Sequence, residues 1–249
     1  MRMTTEEDEE ELVTLDASFF VNNEYNLTSF TCGTHSLELF CLQSASTDFD
    51  LTGQLVWPGA LLLNDYICQN SELFRDSSVL ELGSGVGISG LLCSKFCRRV
   101  VLTDHNDEIL KILNKNIEHQ VSTTKHCDVT AEKLEWGIEN DLARIQKKYP
   151  NGFDIIMGAD IYILFSGLPI HHSSFHLTTQ RFQQASIASL FDTVTRLLQL
   201  QRSHCKFLLA YVSRAKTMDE LVVKEAKDHG LSIKEVKGNR GIIFVMSLR

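Results

Sequence analysis

Short apolar runs alternate with segments of helical periodicity over most of the 249-residue chain. Continuous apolar runs with β-branched content predict four buried strands, at 78–82, 99–103, 153–160 and 206–212. Apolar residues recurring every three or four positions predict helices at 87–96, 106–119, 187–198 and 217–229. Strands alternating with helices in this way indicate an α/β fold built on a largely parallel sheet.

Antiparallel pairs are predicted at both ends of this pattern. Residues 30–42 alternate around Gly33, which predicts a hairpin ahead of the main fold. Residues 231–236 and 241–246 flank a short turn and are predicted to pair as antiparallel neighbours. With a third strand placed at 121–129, the expected fold class is a Rossmann-like, doubly wound, mixed sheet of seven strands with an antiparallel last strand, plus the short N-terminal hairpin.

Two segments depart from the pattern. Residues 1–20 are expected to form an acidic, disordered tail ahead of a single domain over 21–249. Residues 165–184 contain no Asp, Glu or Lys and no convincing periodicity, so we expect an irregular surface insertion. His172 and His176 stand four residues apart within it, but without a periodic helix the pair does not indicate a metal site.

Composition narrows the class of protein. Hydrophobic residues make up 43% and charged residues 22%, which is typical of globular proteins. The net charge of −8 argues against broad nucleic-acid binding and favours basic protein partners. Seven scattered cysteines predict reduced core thiols, and hence a cytoplasmic or nuclear protein. We expect a monomer with no membrane span and no signal peptide.

The stretch Glu-Leu-Gly-Ser-Gly-Val-Gly at 81–87 carries the most informative chemistry. Glycines at alternating positions between a strand and a helix let a ligand approach bare backbone and the amides of the helix start. The stretch 85–90 also fits the dinucleotide pattern G-x-G-x-x-G, yet Gly83 rather than Gly85 directly follows the strand. Glu81 would repel a pyrophosphate and suits a cationic ligand. S-adenosylmethionine (SAM), with a sulfonium, an ammonium and no phosphate, is such a ligand.

Two further acids end predicted strands. Asp104 ends the second strand about 20 residues after Gly85, where an acid can accept both ribose hydroxyls of a nucleotide-like cofactor. Asp160 ends the fourth strand in a small-residue turn, although it could instead cap the segment that follows. Because ligands of open α/β sheets bind beyond the carboxyl ends of the strands, both acids predict one crevice.

Taken together, these residues resemble the seven-strand SAM-dependent methyltransferases, and more narrowly their lysine methyltransferase-like branch (methyltransferase family 16). Four stretches stand in the order and approximate spacing of that branch: 56–60 (Val-Trp-Pro-Gly-Ala), 80–87, 134–137 (Leu-Glu-Trp-Gly) and 158–160 (Gly-Ala-Asp). The resemblance runs from about residue 30 to the C-terminus. It implies that SAM is the cofactor and that a lysine side chain of a protein substrate is the methyl acceptor, without a metal.

The resemblance also implies roles for individual residues. The cofactor-binding residues that it implies are Trp57, Glu81, Gly83, Ser84, Gly85, Asp104, Trp136 and Ala159. Trp57 would line the methionine end of SAM and Asp104 would hold the ribose. Trp136 and Ala159 would border the adenine, while the glycine stretch would contact the cofactor through its backbone.

Asp160 and Tyr162 are the catalytic residues suggested by the resemblance, as groups that orient the substrate amine. The family shows an acid followed three residues later by Tyr or Phe, whereas Tyr162 follows Asp160 after two. Because of this shift and the extra sequence at 165–184, one alternative is that the chain is a non-catalytic interaction protein with the same fold. Methylation of a small molecule or of another side chain is a second alternative. An NAD-dependent oxidoreductase, supported by the G-x-G-x-x-G match alone, is a third.

Overall fold

A computed structural model describes residues 25–42, 52–121, 127–161, 173–200, 204–213, 216–238 and 241–249. A two-stranded hairpin consists of β1 (Asn26–Cys32) and β2 (His35–Cys41). The main sheet contains β3 (Ser78–Leu82), β4 (Arg99–Asp104), β5 (Asp128–Lys133), β6 (Ile155–Ala159), β7 (Lys206–Tyr211), β8 (Leu231–Lys237) and β9 (Ile242–Leu248). The helices are α1 (Pro58–Gln69), α2 (Ser71–Phe74), α3 (Ile88–Cys93), α4 (Asp107–Val121), α5 (Glu139–Lys148), α6 (Ser173–Leu200) and α7 (Lys216–Asp228).

The strand order of the main sheet is β5-β4-β3-β6-β7-β9-β8. The strands from β5 to β7 pair in parallel, and β9 is antiparallel to both β7 and β8. The predicted fold class, a mixed seven-strand sheet with an antiparallel last strand and a separate hairpin, is therefore confirmed. The chain runs from β3 outward to β5 and then crosses to β6, so strand order reverses between β3 and β6. Ligands bind at this reversal in doubly wound folds.

The central strand β3 is buried on both faces, which explains its continuous apolar sequence. Leu80 and Leu82 belong to the core cluster formed with α5, α6 and α7. Val79 faces the other way, into the cluster formed with α1, α3 and α4. Since successive side chains of a strand alternate between faces, Glu81 shares the face of Val79 and points towards α3.

The third strand of the sheet differs from its prediction. It covers Asp128–Lys133 rather than 121–129, because α4 continues to Val121. β5 lies at the edge of the sheet and most of its side chains are half-buried. An edge strand does not need the apolar run that marks a strand buried on both faces, so its polar sequence gives little signal.

The prediction of an irregular segment over 165–184 is wrong for its second part. Helix α6 begins at Ser173 and continues unbroken to Leu200. The sequence of its first turns lacks the apolar periodicity from which helices are predicted, and that periodicity starts only at Ile187. Several features named from the sequence lie outside the described residues: Tyr162, His172 and the tail over 1–20.

The cysteines agree with the predicted reduced thiols. All seven are free, and five of them are buried. Cys93 and Cys97 lie in the core cluster between α3 and the sheet. Among the described residues, no helix combines the length and apolar character needed to cross a membrane.

Candidate functional site

The glycine-rich stretch between β3 and α3 forms a tight loop at the carboxyl end of β3. Gly83, Gly85 and Gly87 have φ values of +58°, +52° and +87°, which glycine adopts without strain. The Gly87 amide donates to the Ser84 carbonyl (2.8 Å) and closes the turn. The Ser84 amide donates to the carbonyl of Thr103 (2.8 Å), which fastens the loop to the end of β4.

Asp104 lies directly against this loop. It is 6% exposed, and one carboxylate oxygen accepts a hydrogen bond from the Gly85 amide at 3.2 Å. The other oxygen accepts from the Asn106 amide at 3.1 Å and lies 3.4 Å from the His105 ring. A carboxylate has about four acceptor positions, so Asp104 can accept further hydrogen bonds from a ligand such as a ribose.

Glu81 is held between β3 and α3. It is 3% exposed, and its Oε2 accepts a hydrogen bond from the Gly90 amide at 3.0 Å. The pKa of the Glu81 carboxyl is raised to about 8, mainly by burial and to a smaller extent by the nearby Asp104, although hydrogen bonds from Gly90 and Ser84 lower it. Glu81 therefore supports the loop from the α3 side, and at neutral pH it carries a proton much of the time.

Replacing Glu81 with Gln should flatten the dependence of stability on pH. The folded chain keeps a proton on Glu81 that the unfolded chain releases, so the wild-type chain loses stability as the pH rises from about 4.5 to about 8. Each pKa unit corresponds to about 1.4 kcal/mol, so the total loss is about 3–5 kcal/mol. Denaturant unfolding of both proteins across this range measures it. Parallel pH profiles would contradict the burial of an ionisable group here.

The segment before α1 lies across the glycine loop. The Trp57 indole N–H donates to the Thr52 carbonyl (2.8 Å), which folds residues 52–57 back on themselves. A Cβ built on Gly85 would stand 2.7 Å from the Gly53 carbonyl oxygen, so the two backbones are in close contact. Gly53 was not among the residues predicted from the sequence, where its only signal is a glycine shortly before the Trp-Pro pair.

Asp160 connects the end of β6 to the start of α1. Its φ is +51°, a left-handed conformation that is uncommon for a residue other than glycine, and it is 7% exposed. One carboxylate oxygen accepts from the Gly59 amide (2.7 Å) and the other from the Val212 amide (3.2 Å). The amides of a first helical turn lack intrahelical partners and favour negative charge. Asp160 thus caps the helix that follows Trp57.

Trp136 and Ile161 border the loop on the side of β6. A Cβ built on Gly83 would stand 3.5 Å from Trp136 Cζ2 and 2.9 Å from Ile161 Cγ2. Ala159, the last residue of β6, pairs with Ala210 and precedes Asp160. Ile161 was not predicted, because an isolated apolar residue between Asp160 and a Tyr gives no functional signal in the sequence.

The structure thus brings most of the predicted site residues to the carboxyl ends of β3, β4 and β6. Those found there are Trp57, Gly83, Ser84, Gly85, Asp104, Trp136, Ala159 and Asp160. Glu81 turns from them towards α3, and Tyr162 lies outside the described residues. Asp104 is placed to hold the ribose of a nucleotide-like cofactor, whereas both oxygens of Asp160 accept from backbone amides.

Comparison with known proteins gives a family match. The sequence profile described as "Lysine methyltransferase" matches residues 38–175, more than half of the chain. Methyltransferase-like protein 22 of Homo sapiens is 29% identical over 189 residues, which are 74% of this chain and 44% of that protein. EEF1A lysine methyltransferase 3 of Xenopus tropicalis is 36% identical over 115 residues, 46% of this chain and 47% of that protein. The chain spans about half the length of the curated relatives it matches.

The solved structures show the same fold. The 16S rRNA N2 G1207 methyltransferase of T. thermophilus, in complex with AdoMet and guanosine, matches with a TM-score of 0.53. The match covers 90% of this chain and 51% of that chain at 15% identity. At this identity the likeness shows the fold alone, which is that of the class I methyltransferases.

Proposed function

The chain belongs to the lysine methyltransferase family, and on that premise we propose that it transfers the methyl group of SAM to a lysine side chain of a protein. One observation carries the proposal. The glycine loop, whose glycines adopt positive φ, donates a hydrogen bond from the Gly85 amide to Asp104, and this contact lies beside the reversal in strand order. A relative named EEF1A lysine methyltransferase 3 supports a protein lysine as the acceptor.

The residues of the crevice fit SAM. Gly83 and Gly85 present backbone without a side chain, bordered by Trp136 and Gly53. Asp104 has acceptor capacity for ribose hydroxyls. Asp104 could hold the ribose of SAM or of NAD, so the family match is what argues against the NAD alternative.

We therefore assign the predicted roles as part of the proposal. Asp104 holds the ribose, and Trp57 lines the methionine end of the cofactor. Trp136 and Ala159 border the adenine. The backbone from Gly83 through Ser84 to Gly85 contacts the cofactor, and Glu81 supports this loop through α3.

The chain must align the methyl group with the substrate amine and must favour the neutral form of that amine. When bound, SAM supplies an electrophilic methyl group, and transfer to nitrogen gains mainly from holding the two reactants in line. An ordinary lysine has a pKa of about 10.4, so a narrow, dry approach to the crevice is needed to favour the neutral amine. Both carboxylate oxygens of Asp160 accept backbone hydrogen bonds, which supports a role in holding α1 and Trp57 in place. Direct orientation of the amine by Asp160 and Tyr162 stays a prediction.

The setting of the reaction follows from charge and cysteine chemistry. A net charge of −8 favours a basic protein substrate. Seven free thiols are typical of proteins in the cytoplasm or nucleus, and we propose that the chain acts there.

A methyl-transfer assay tests the proposal. The purified chain is incubated with SAM labelled in its methyl group and with extracted proteins, and the labelled proteins are hydrolysed to amino acids. We expect the label in methylated lysine, lowered at least about tenfold by Asp104→Ala, since a charge-assisted hydrogen bond to the ribose is lost. Label in another amino acid or in small molecules would change the acceptor class. SAM binding without any transfer would support the non-catalytic alternative.

A further inference from the structure

Asn116 of α4 is a fully buried amide that connects three parts of the molecule. Its Oδ1 accepts a hydrogen bond from the Phe40 amide of β2 (2.8 Å), and its Nδ2 donates to the Phe40 carbonyl (3.0 Å). The same Nδ2 donates to the carbonyl of Val86 (2.9 Å). Val86 lies in the middle of the glycine loop, so a single side chain ties this loop and the N-terminal hairpin to α4.

Because Asn116 is buried, its hydrogen bonds strongly favour one arrangement of the loop and the hairpin. A buried amide is stabilising only when its donors and acceptor are satisfied, and a fully satisfied amide selects one arrangement of its partners. Val86 is itself 2% exposed and packs with Cys41 and Ile112. The middle of the loop is therefore held through both its carbonyl and its side chain.

The loop needs such contacts because its glycines have little conformational preference of their own. Gly85 and Gly87 flank Val86, and both adopt positive φ. Fixing the Val86 carbonyl fixes the peptide plane between Val86 and Gly87 and limits the rotation of the loop backbone. A loop that is ordered before binding loses less conformational entropy when the ligand arrives.

We infer that Asn116 is a positioning residue for the cofactor loop: its amide holds the Val86 carbonyl and thereby keeps the backbone of Gly83–Gly87 in the conformation that receives SAM. This inference rests on the proposed function. It also couples the hairpin to the site, since the same amide holds both backbone groups of Phe40.

Calorimetric titration with SAM tests the inference. Asn116→Ala should raise the Kd for SAM at least about tenfold, because the loop loses its fixed carbonyl. The matched control is Gln120→Ala, one turn further along α4, because Gln120 Nε2 donates to the Glu38 carbonyl at 2.6 Å and so also connects α4 to β2. Gln120→Ala should leave the Kd within about twofold of wild type, even if it lowers the Tm. Equal changes in Kd, or wild-type affinity in Asn116→Ala, would overturn the inference.

Hydrogen exchange in the wild-type chain provides a second readout that does not depend on a variant folding. The Phe40 amide donates to Asn116, so its exchange reports on this contact. The neighbouring Leu39 amide faces β1, by the alternation of an antiparallel pair. Saturating SAM should slow exchange at Phe40 at least about fivefold and leave Leu39 nearly unchanged. An unchanged Phe40 rate would overturn the inference.

The two proposals fail in different ways. If the folded wild-type chain does not bind SAM at all, the proposed function is wrong. If the wild-type chain and Asn116→Ala bind SAM equally well, only the role of Asn116 is wrong.

Discussion

Gly85→Ala should lower the affinity for SAM at least about 100-fold, which corresponds to about 2.7 kcal/mol. The new Cβ would stand 2.7 Å from the Gly53 carbonyl oxygen, a backbone atom that cannot move away by rotation of a side chain. The position also has φ +52°, where a residue with a Cβ loses about 1–2 kcal/mol. Relieving the overlap must move either the glycine loop or the turn Thr52–Gln54, which leads to Trp57. Calorimetric titration with SAM measures the effect.

Gly230→Ala is the matched control for this substitution. Gly230 has φ +74°, and a Cβ built there meets nothing within 4 Å. It lies between α7 and β8, away from the crevice. Both variants should lose thermal stability through the same backbone conformation, but only Gly85→Ala should lose SAM binding. Near wild-type affinity in Gly85→Ala would contradict the placement of the cofactor against this loop.

Asp160→Ala should lower the free energy of unfolding by about 2–4 kcal/mol and methyl transfer at least about tenfold. Removing the carboxylate leaves the amides of Gly59 and Val212 without their acceptor, and the start of α1 loses its anchor on β6. Asp160→Asn should have a smaller effect, since its single oxygen can still accept from one of the two amides. Urea unfolding and the methyl-transfer assay measure the two effects.

A double-mutant cycle with Gly59 isolates the contact. A Cβ on Gly59 would stand 2.4 Å from the Asp160 carboxyl carbon, so Gly59→Ala alone should be strongly destabilising. In the Asp160→Ala background this overlap is absent, so adding Gly59→Ala should destabilise the chain little further. We therefore expect a coupling energy of more than about 1 kcal/mol between the two substitutions. Additive effects would contradict the cap on α1.

Asp154→Ala provides a control at the opposite end of β6. The Asp154 carboxylate accepts from the Ser78 amide (2.7 Å) and from Arg98 (3.1 Å), at the amino end of the sheet. Its removal should lower stability without lowering methyl transfer per folded molecule. An equal loss of transfer in Asp154→Ala and Asp160→Ala would show that the effect of Asp160 is one of stability alone.

The parts of the site that the sequence predicts are those encoded within a few neighbouring residues. Gly83 directly follows β3, Gly85 comes two residues later, and Asp104 ends β4. The carboxyl ends of the strands in a parallel sheet meet at one edge whatever the rest of the chain does. At the start of α4 the sequence offers two adjacent candidate caps, Asn106 and Asp107. The structure selects Asn106, whose Oδ1 accepts from the Glu108 amide at 2.9 Å.

The parts that the sequence does not predict depend on contacts between distant segments. Asn116 stands 76 residues from Phe40, and Asp160 stands 101 residues from Gly59. In the sequence, helical periodicity places Asn116 on the apolar face of α4, opposite Asn114, but nothing in the sequence identifies its hydrogen-bond partners. The role of a buried polar group depends on its hydrogen-bond partners. For Asn116 these partners are brought close only by the packing of α4 against the hairpin and the loop.

Calorimetric titration of SAM into the purified wild-type chain tests the central claim most directly, with NAD and Asp104→Ala as comparisons. The account predicts a Kd in the micromolar range for SAM, about −8 kcal/mol, at least about tenfold weaker binding by Asp104→Ala, and none of NAD. A folded chain that does not bind SAM, or that binds NAD in its place, would contradict it.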